Sequence, residues 1–335
     1  MSGLGGELPR ERLGVFPTPL VRAHRLERAT GAGPILIKRD DLAGFGVAGN
    51  KTRPLEFLLG EARERGADVL VTGGGPGSNF CPAAALAARV AGLECELVVW
   101  GDPHSPNLAL ARAAGARLLP IGGTRSDTDR AAVDDRITTR ADELARAGRR
   151  PFPVPRGGST DLGAVGFAVA AEELAEQLAA RGDGEMPELI VLSVGSGGSC
   201  AGLLAGLAAI GSDIPVLGVS VSRPPHDIEQ TVRELAEGCA RLLGSARPTT
   251  RLEILDARGP GFGVATDTER DRARLALHTE GLLLDETYGA EAFAVALERA
   301  CRNRNSSRTV LFWHTGGVVG AVGSCATPDT KTEGQ

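Results

Sequence analysis

The chain alternates between short runs of β-branched residues and longer stretches rich in alanine and leucine, and this order limits its possible folds more than any other feature. Six runs predict β-strands: Ile35–Lys38, Asp68–Thr72, Cys95–Trp100, Leu189–Val194, Val216–Val221 and Thr309–Trp313. Eight stretches predict helices: Pro54–Arg65, Asn79–Ala91, Ser105–Ala114, Asp127–Ala147, Asp161–Ala180, Cys200–Ile210, His226–Leu243 and Gly289–Cys301. Because the apolar runs lack strict polar alternation, they suit strands buried on both faces of a parallel sheet. The order predicts an α/β fold with parallel sheets flanked by helices.

The length of 335 residues predicts about two domains, at ~150 residues each. The segment Pro151–Gly158, PFPVPRGG, is the best candidate for a linker, because proline and glycine interrupt regular structure.

Three glycine-rich segments follow predicted strands: residues 71–79 (VTGGGPGSN), 193–199 (SVGSGGS) and 314–317 (HTGG). A glycine-rich turn between a strand and a helix exposes backbone N–H groups and the positive end of the helix dipole, which together can bind an anion. One such turn could equally be a tight connection with nothing bound, but three in one chain favour a phosphorylated ligand. The sequence has no Gly-Lys pair for an ATP-type P-loop, and Cys200 stands where the Rossmann pattern needs its third glycine. The second loop therefore best suits a single phosphate.

Lysine is scarce, which limits any chemistry that needs an amine. Of the 37 lysine and arginine residues, only Lys38, Lys51 and Lys331 are lysines. Lys51 lies in Gly-Asn-Lys just before Pro54, a residue that fits the first turn of a helix. The positive end of that helix would favour a neutral, nucleophilic amine, which suits a Schiff base. A solvated surface lysine is the alternative, and Lys38 could be a charge at the end of a strand.

Charge and composition argue against several classes of function. The net charge of −5 offers no basic field for nucleic acid, and no apolar run reaches the ~18–20 residues of a membrane helix. The first residues lack the apolar core of a secretory signal, so we expect a cytoplasmic protein. The six cysteines, at 81, 95, 200, 239, 301 and 325, form no CxxC motif and are expected to be free and mostly buried. The five histidines form no HxxxH or HExxH pair, so no metal site is predicted.

Several segments, taken together and in order, resemble the 1-aminocyclopropane-1-carboxylate (ACC) deaminase and D-cysteine desulfhydrase family of pyridoxal-phosphate enzymes. They are FPTPL, LIKRDDLAGFGVAGNKTRPLEFLLGEA, VTGGGPGSNF, LSVGSGGSCAGLLAG, LLLDETYG and LFWHTGG, between about Phe16 and Gly323. The resemblance implies a two-domain fold of the tryptophan synthase β-like class (fold type II). It also implies a large cofactor domain of residues 1–47 and 159–335, a small inserted domain of 48–158, and a homodimer.

The same resemblance assigns roles to residues of this chain. Lys51 would hold pyridoxal 5'-phosphate covalently and move protons. Asn79 would hydrogen-bond the pyridoxal 3-oxygen, Ser78 would touch the substrate, and Tyr288 would be the active-site tyrosine. Thr315 would lie near the pyridine nitrogen. The phosphate would be held by Gly195, Ser196, Gly197, Gly198 and Ser199.

The sequence departs from the family pattern on the substrate side. Gly289 stands where the family's deaminases have a glutamate, and Phe262 stands where they have a second tyrosine. Phe80 replaces a polar residue after Ser-Asn. The resemblance thus implies a pyridoxal-phosphate lyase that performs β-elimination on a small amino acid, like a D-cysteine desulfhydrase. ACC ring opening, β-replacement and non-catalytic ligand binding stay open as alternatives, the last being disfavoured by Lys51 and the phosphate loop.

Overall fold

The computed structural model describes residues 3–122, 127–182, 184–304 and 306–325, without the side chains of residues 127–131 and 325. Within those residues the strands are β1 (Leu20–Arg22), β2 (Ile35–Arg39), β3 (Val69–Gly74), β4 (Glu94–Val99), β5 (Arg117–Pro120), β6 (Pro151–Pro153), β7 (Pro187–Val194), β8 (Val216–Ser220), β9 (Leu252–Asp256) and β10 (Thr309–His314). The α-helices are α1 (His24–Thr30), α2 (Thr52–Glu64), α3 (Phe80–Val90), α4 (Pro106–Ala113), α5 (Asp127–Arg146), α6 (Asp161–Arg181), α7 (Gly198–Ala209), α8 (Pro225–Leu242), α9 (Asp267–Glu280), α10 (Gly289–Arg302) and α11 (Val318–Cys325). Short 3₁₀ turns cover Asp40–Leu42, Gly49–Lys51 and Arg156–Gly158.

The strands form two sheets. The larger has the order β1-β2-β10-β7-β8-β9, and every neighbouring pair is parallel except β1 with β2. The smaller has the order β5-β4-β3-β6 and is parallel throughout. Helices cover both faces of each sheet, so the central strands β3, β8 and β10 are buried along their whole length. This arrangement is the predicted α/β architecture.

Four apolar clusters stabilise the two sheets. Helices α6 and α7 pack on one face of the larger sheet, and α1, α9 and α10 contribute to the core on the other. In the smaller sheet, α3 and α4 pack on one face and α5 on the opposite one. Helix α2 contributes to both halves, because Leu55, Leu58 and Leu59 join the core of the smaller sheet while Phe57 joins that of the larger.

All six predicted strands and all eight predicted helices are present, with shifts of a few residues at their ends. The prediction of Pro151–Gly158 as a linker is wrong. Phe152 is buried, and β6 adds an edge strand to the smaller sheet, where proline is tolerated. The sequence interpretation also missed β1, β5, β6 and β9 and the helices α1, α9 and α11, which are short or polar.

The strands β3 to β6 all fall inside the predicted insertion of residues 48–158. The division into two domains at those boundaries stays a prediction. Among the residues that the structure describes, no helix is both long and apolar enough to cross a bilayer.

Of the cysteine side chains that the structure describes, all five are free, and four of them are buried. Burial raises the pKa of the Cys81 thiol to about 11, so this thiol stays protonated at neutral pH. The side chain of the sixth, at position 325, lies outside the described residues, as does Lys331.

Candidate active site

A cavity of about 1060 Å³ opens where the carboxyl ends of β3, β7 and β10 approach one another. In parallel α/β folds, ligands bind next to the carboxyl ends of the strands. Every side chain and loop that the sequence predicts for the site lines this one cavity: Lys51, Ser78, Asn79, Gly195, Ser196, Gly197, Gly198, Ser199, Tyr288 and Thr315. The tertiary structure therefore brings together residues that are far apart in the chain. Their individual roles stay predictions.

Lys51 ends a 3₁₀ turn and immediately precedes α2, so its backbone is rigid. Burial lowers the pKa of its amine to about 8, which leaves a substantial neutral fraction near neutral pH. The turn is fixed against the end of β10 by a hydrogen bond from the Asn50 N–H to the Thr315 carbonyl, at 2.9 Å. Only glycine fits at the first position of this turn, since Gly49 has a φ of +54° and a Cβ there would lie 2.6 Å from the Thr315 carbonyl oxygen.

The loop between β7 and α7 has the composition of a phosphate site. Gly197 has a φ of +99° and caps α7, whose first turn carries no acidic residue. The hydroxyls of Ser196 and Ser199 contact a second layer of polar groups. The Ser159 hydroxyl donates to Ser196 Oγ at 2.7 Å and accepts from the Gly198 N–H at 3.1 Å, and Asn50 Nδ2 donates to Ser199 Oγ at 3.0 Å.

These residues fit pyridoxal 5'-phosphate. Backbone N–H groups at the start of a twelve-residue helix, with hydroxyls and no carboxylate, suit a phosphate dianion. A lysine of lowered pKa in the same cavity suits the aldehyde. The loop is also closely packed, because a Cβ on Gly195 would lie 2.9 Å from the Tyr288 ring.

Ser78 and Asn79 lie immediately before α3 and also line the cavity. Ser78 Oγ accepts a hydrogen bond from the Cys81 N–H at 3.3 Å. Asn79 Nδ2 donates to Asp285 Oδ2 at 3.2 Å, and Asn107 Nδ2 donates to Asn79 Oδ1 at 3.4 Å. Asp285 is buried, and burial raises its pKa to about 6 although nearby N–H donors oppose this.

Four aromatic rings line the cavity: Tyr288, Phe262, Trp100 and Phe80. Phe262 meets Tyr288 edge to face, with ring centroids 5.9 Å apart, and Trp100 lines the cavity beside Gly75. Phe80 also lines it, but its ring is almost fully buried in the core of the smaller sheet, where a Cβ on Gly158 would lie 2.7 Å from it. Thr315 Oγ1 lies 3.3 Å from Ser193 Oγ, so the pair at the end of β10 and β7 is neutral.

Gly289 and His314 have backbone and packing roles. The Gly289 N–H donates to Asp285 Oδ1 at 2.7 Å, and a Cβ there would lie only 3.1 Å from that oxygen. His314 is fully buried and accepts from the Gly316 N–H, and burial lowers its pKa to about 4, so it is neutral. Within the described part of the chain, no group of three or more His, Cys, Asp or Glu side chains is arranged for a metal, and the absence of one stays a prediction.

The sequence interpretation missed four residues at this site. Asn50 adjoins Lys51, Ser159 follows the supposed linker, and Asn107 lies on α4. Asp285 belongs to the LLLDETYG segment but was given no role. Only proximity in the sequence to a motif could have indicated Asn50 and Asp285, and no local pattern distinguishes Ser159 or Asn107.

A parallel α/β fold whose cavity is lined by a lysine, a glycine- and serine-rich loop at a helix N-terminus and several aromatic rings is typical of enzymes that use a phosphorylated aldehyde cofactor. The chain belongs to the pyridoxal-phosphate dependent enzyme family, whose model matches residues 11–316. It is therefore a pyridoxal-phosphate-dependent enzyme of the lyase and deaminase type. The predicted family, fold class, cofactor and enzyme class are confirmed.

The chain is similar to proteins with two named activities. It is 34% identical to a Pyrococcus horikoshii protein provisionally named 1-aminocyclopropane-1-carboxylate deaminase, over 94% of this chain and 93% of that one. It is also 34% identical to a D-cysteine desulfhydrase of Salmonella choleraesuis, over 92% of this chain and 94% of that one. A solved ACC deaminase homologue matches with a TM-score of 0.85 and 33% identity, over 94% of each chain. A fungal L-serine ammonia-lyase from Rhizomucor miehei, with a TM-score of 0.65 and 21% identity over 92% of this chain and 95% of that one, shares the fold.

Proposed function

We propose that this enzyme performs β-elimination on a small amino acid, like a D-cysteine desulfhydrase, and releases a 2-oxo acid and ammonia. The observation that carries this proposal is the pair of aromatic rings, Tyr288 and Phe262, that line the cavity. Tyr288 supplies a phenol, but its neighbour Phe262 has no hydroxyl, and Gly289 offers no carboxylate. The similarity to a named D-cysteine desulfhydrase supports the same activity.

The residues of this chain divide the work of the reaction. Pyridoxal phosphate, when bound, supplies an electron sink for the substrate carbanion. The Lys51 amine, neutral in part because of its lowered pKa, removes the proton from the substrate α-carbon. The Tyr288 phenol assists the departing β-group, and Ser78 contacts the substrate. The loop of residues 195–199 holds the phosphate, and the neutral Thr315 lies at the pyridine nitrogen.

ACC ring opening is the second candidate, because several relatives carry that name. This substrate has no α-hydrogen, so opening the ring demands additional acid and base groups. Each positioned acid or base contributes ~10²–10⁴-fold to a rate. Without a second phenol and a carboxylate, ring opening on this scaffold should be slow, whereas ordinary α-proton removal needs only Lys51.

A substrate panel tests the proposal. We expect D- or L-cysteine, D- or L-serine or β-chloroalanine to give pyruvate and ammonia with a kcat/KM at least ~10²-fold above that for 2-oxobutanoate release from ACC. Comparable or faster turnover of ACC would refute the elimination assignment. Activity with an added thiol acceptor, but not with water, would instead support β-replacement.

A cytoplasmic location and a homodimer belong to the same proposal. Both stay predictions, the first from the sequence and the second from the family resemblance.

A further inference from the structure

Asp285 is a buried carboxylate that connects two walls of the cavity. Its side chain is 2% exposed and lies just ahead of Tyr288 and α10. One oxygen, Oδ1, accepts the Gly289 N–H at 2.7 Å, and the other, Oδ2, accepts Asn79 Nδ2 at 3.2 Å. The same group therefore holds the beginning of α10 and the amide at the beginning of α3.

The carboxylate has no room to move. Gly317, which has a φ of +94° in the turn after β10, approaches so closely that a Cβ there would lie 2.6 Å from Asp285 Cγ. A Cβ on Gly320 would lie 3.1 Å from Asp285 Cβ. The start of α10, the amide of Asn79 and the segment of residues 317–320 therefore all contact Asp285, and these contacts fix the directions of its two carboxylate oxygens.

The direction of the hydrogen bonds matters more than their number. An ionised carboxylate only accepts, so it forces the Asn79 amide to turn its nitrogen toward Asp285. Asn79 Oδ1 then faces Asn107, which is almost fully buried and presents its nitrogen at 3.4 Å. Because an asparagine amide is nearly symmetric in shape, only such partners decide which of its atoms faces which way.

We propose that Asp285 is a positioning residue that acts through Asn79, fixing the second N–H of that amide as a donor for the 3-oxygen of the cofactor. The inference rests on the proposed contact between Asn79 and the cofactor. A reversed amide would present its oxygen to the cofactor oxygen and repel it. Although burial raises the pKa of Asp285 to about 6, the group is mostly ionised at pH ~7.5, where it can only accept.

The substitution Asp285→Asn tests the direction directly. The new amide keeps the shape, and its oxygen can still accept the Gly289 N–H. Its nitrogen then faces the Asn79 nitrogen, so the Asn79 amide must reverse. We expect the apoenzyme to bind pyridoxal phosphate about 10- to 100-fold more weakly at pH ~7.5, with a shifted visible absorbance band.

Two further variants complete the design. Asn107→Asp leaves Asp285 in place but sets a second acceptor against Asn79 Oδ1, so the two carboxylates demand opposite directions of the Asn79 amide. Cofactor binding should weaken, which tests the amide direction if Asp285→Asn does not fold. Glu286→Gln removes the neighbouring charge, which pairs with Arg270 at 3.2 Å, and serves as the matched control with unchanged cofactor affinity.

The inference is overturned if Asp285→Asn binds pyridoxal phosphate with the affinity and the absorbance of the unsubstituted enzyme. A lower melting temperature with unchanged affinity would also overturn it, because Asp285 would then only stabilise the fold. If Asn79→Ala left cofactor affinity unchanged, the inference would fail together with the assignment of Asn79. The proposed elimination activity would be untouched, because the substrate panel measures it independently.

Discussion

Lys38 and Lys51 show how surroundings decide the chemistry of one residue type. Lys38 is fully buried and contacts the Thr18 carbonyl at 2.7 Å, Gln177 and the carboxylate of Glu173. Its amine is occupied by acceptors, whereas Lys51 lies at the wall of the cavity. The sequence could only name both as candidates, and the contacts favour Lys51 as the covalent attachment site.

We therefore expect borohydride reduction of the holoenzyme, followed by peptide mapping, to place the pyridoxyl group on Lys51. Lys51→Ala should lose the label, and Lys38→Met is the matched control that should retain it if it folds. A label on Lys38 in the unsubstituted protein would contradict the assignment.

The lowered pKa of Lys51 predicts a pH dependence. A protonated amine is not a nucleophile, and burial lowers the pKa of this amine from its usual 10.5 to about 8. The rate at which apoenzyme takes up pyridoxal phosphate should rise with pH up to about 8 and then level off. Nα-acetyl-lysine in the same buffers is the reference, since it corrects for ionisation of the cofactor itself. The ratio of the two rates should therefore fall above pH about 8, where Lys51 is already neutral but the reference amine is still gaining neutral form. A ratio that stays flat up to pH ~10 would show an ordinary, solvated lysine.

Among the secondary-structure elements, α7 carries the predicted phosphate site at its first turn, so the position of that site depends on how α7 packs against α6. A Cβ on Gly202 would lie 2.0 Å from the Ala164 carbonyl, and one on Gly206 would lie 2.5 Å from the Ala168 carbonyl. Glycine at these positions lets the backbones of α7 and α6 touch. This close packing fixes where the first turn of α7, and hence its N–H groups, meets the cavity.

Gly197→Ala should weaken pyridoxal phosphate binding about 10- to 100-fold, because it loses charge-assisted hydrogen bonds. The residue has a φ of +99°, and its new Cβ would lie 3.2 Å from Val232, so the loop must shift. Fluorescence titration of the apoenzyme measures the affinity. Gly211→Ala is the matched control, since Gly211 has a φ of +69° with nothing within 4 Å. Equal cofactor affinity in the two variants would exclude this loop as the phosphate site.

At the scale of the whole molecule, a buried ionic cluster joins distant segments close to Lys51. Arg53 on α2 donates to Asp40, which follows β2, at 2.7 and 2.8 Å, and to Glu173 on α6 at 3.0 Å. Trp313 on β10 donates to Asp40 at 2.9 Å. Burial by itself would raise the pKa of Asp40, but Arg53 and the other donors hold it below its usual value.

Arg53→Met should destabilise the apoenzyme by about 3–5 kcal/mol, because it leaves the buried Asp40 and the mostly buried Glu173 without their main partner. Urea unfolding followed by circular dichroism measures the change. Arg65→Met, which removes an exposed pair with Glu61 at the C-terminal end of α2, is the control and should leave the midpoint nearly unchanged. Similar midpoints for both variants would show that the cluster adds little stability.

Local sequence patterns were enough to predict the class of fold, and the resemblance to a known family gave the cofactor, whereas Lys51 stays the predicted attachment site. Alternating apolar runs mark buried strands and helices locally, and the six predicted strands needed no tertiary information. The phosphate loop and Gly-Asn-Lys are continuous in sequence, so their chemistry can be interpreted from a single segment. Short edge strands such as β1 and β6 and polar helices such as α9 escaped, because long-range packing rather than local pattern stabilises them.

Which residues are hydrogen-bonded to one another around the cavity follows from long-range packing. Asp285 lies 206 positions from Asn79 in the sequence, and Ser159 lies 37 from Ser196, yet each pair is hydrogen-bonded. Burial, and with it the shifted pKa values of Lys51 and Asp285, also arises only when distant segments exclude water together. A sequence specifies donors and acceptors one by one, but their partners follow from how the two sheets and α2 pack.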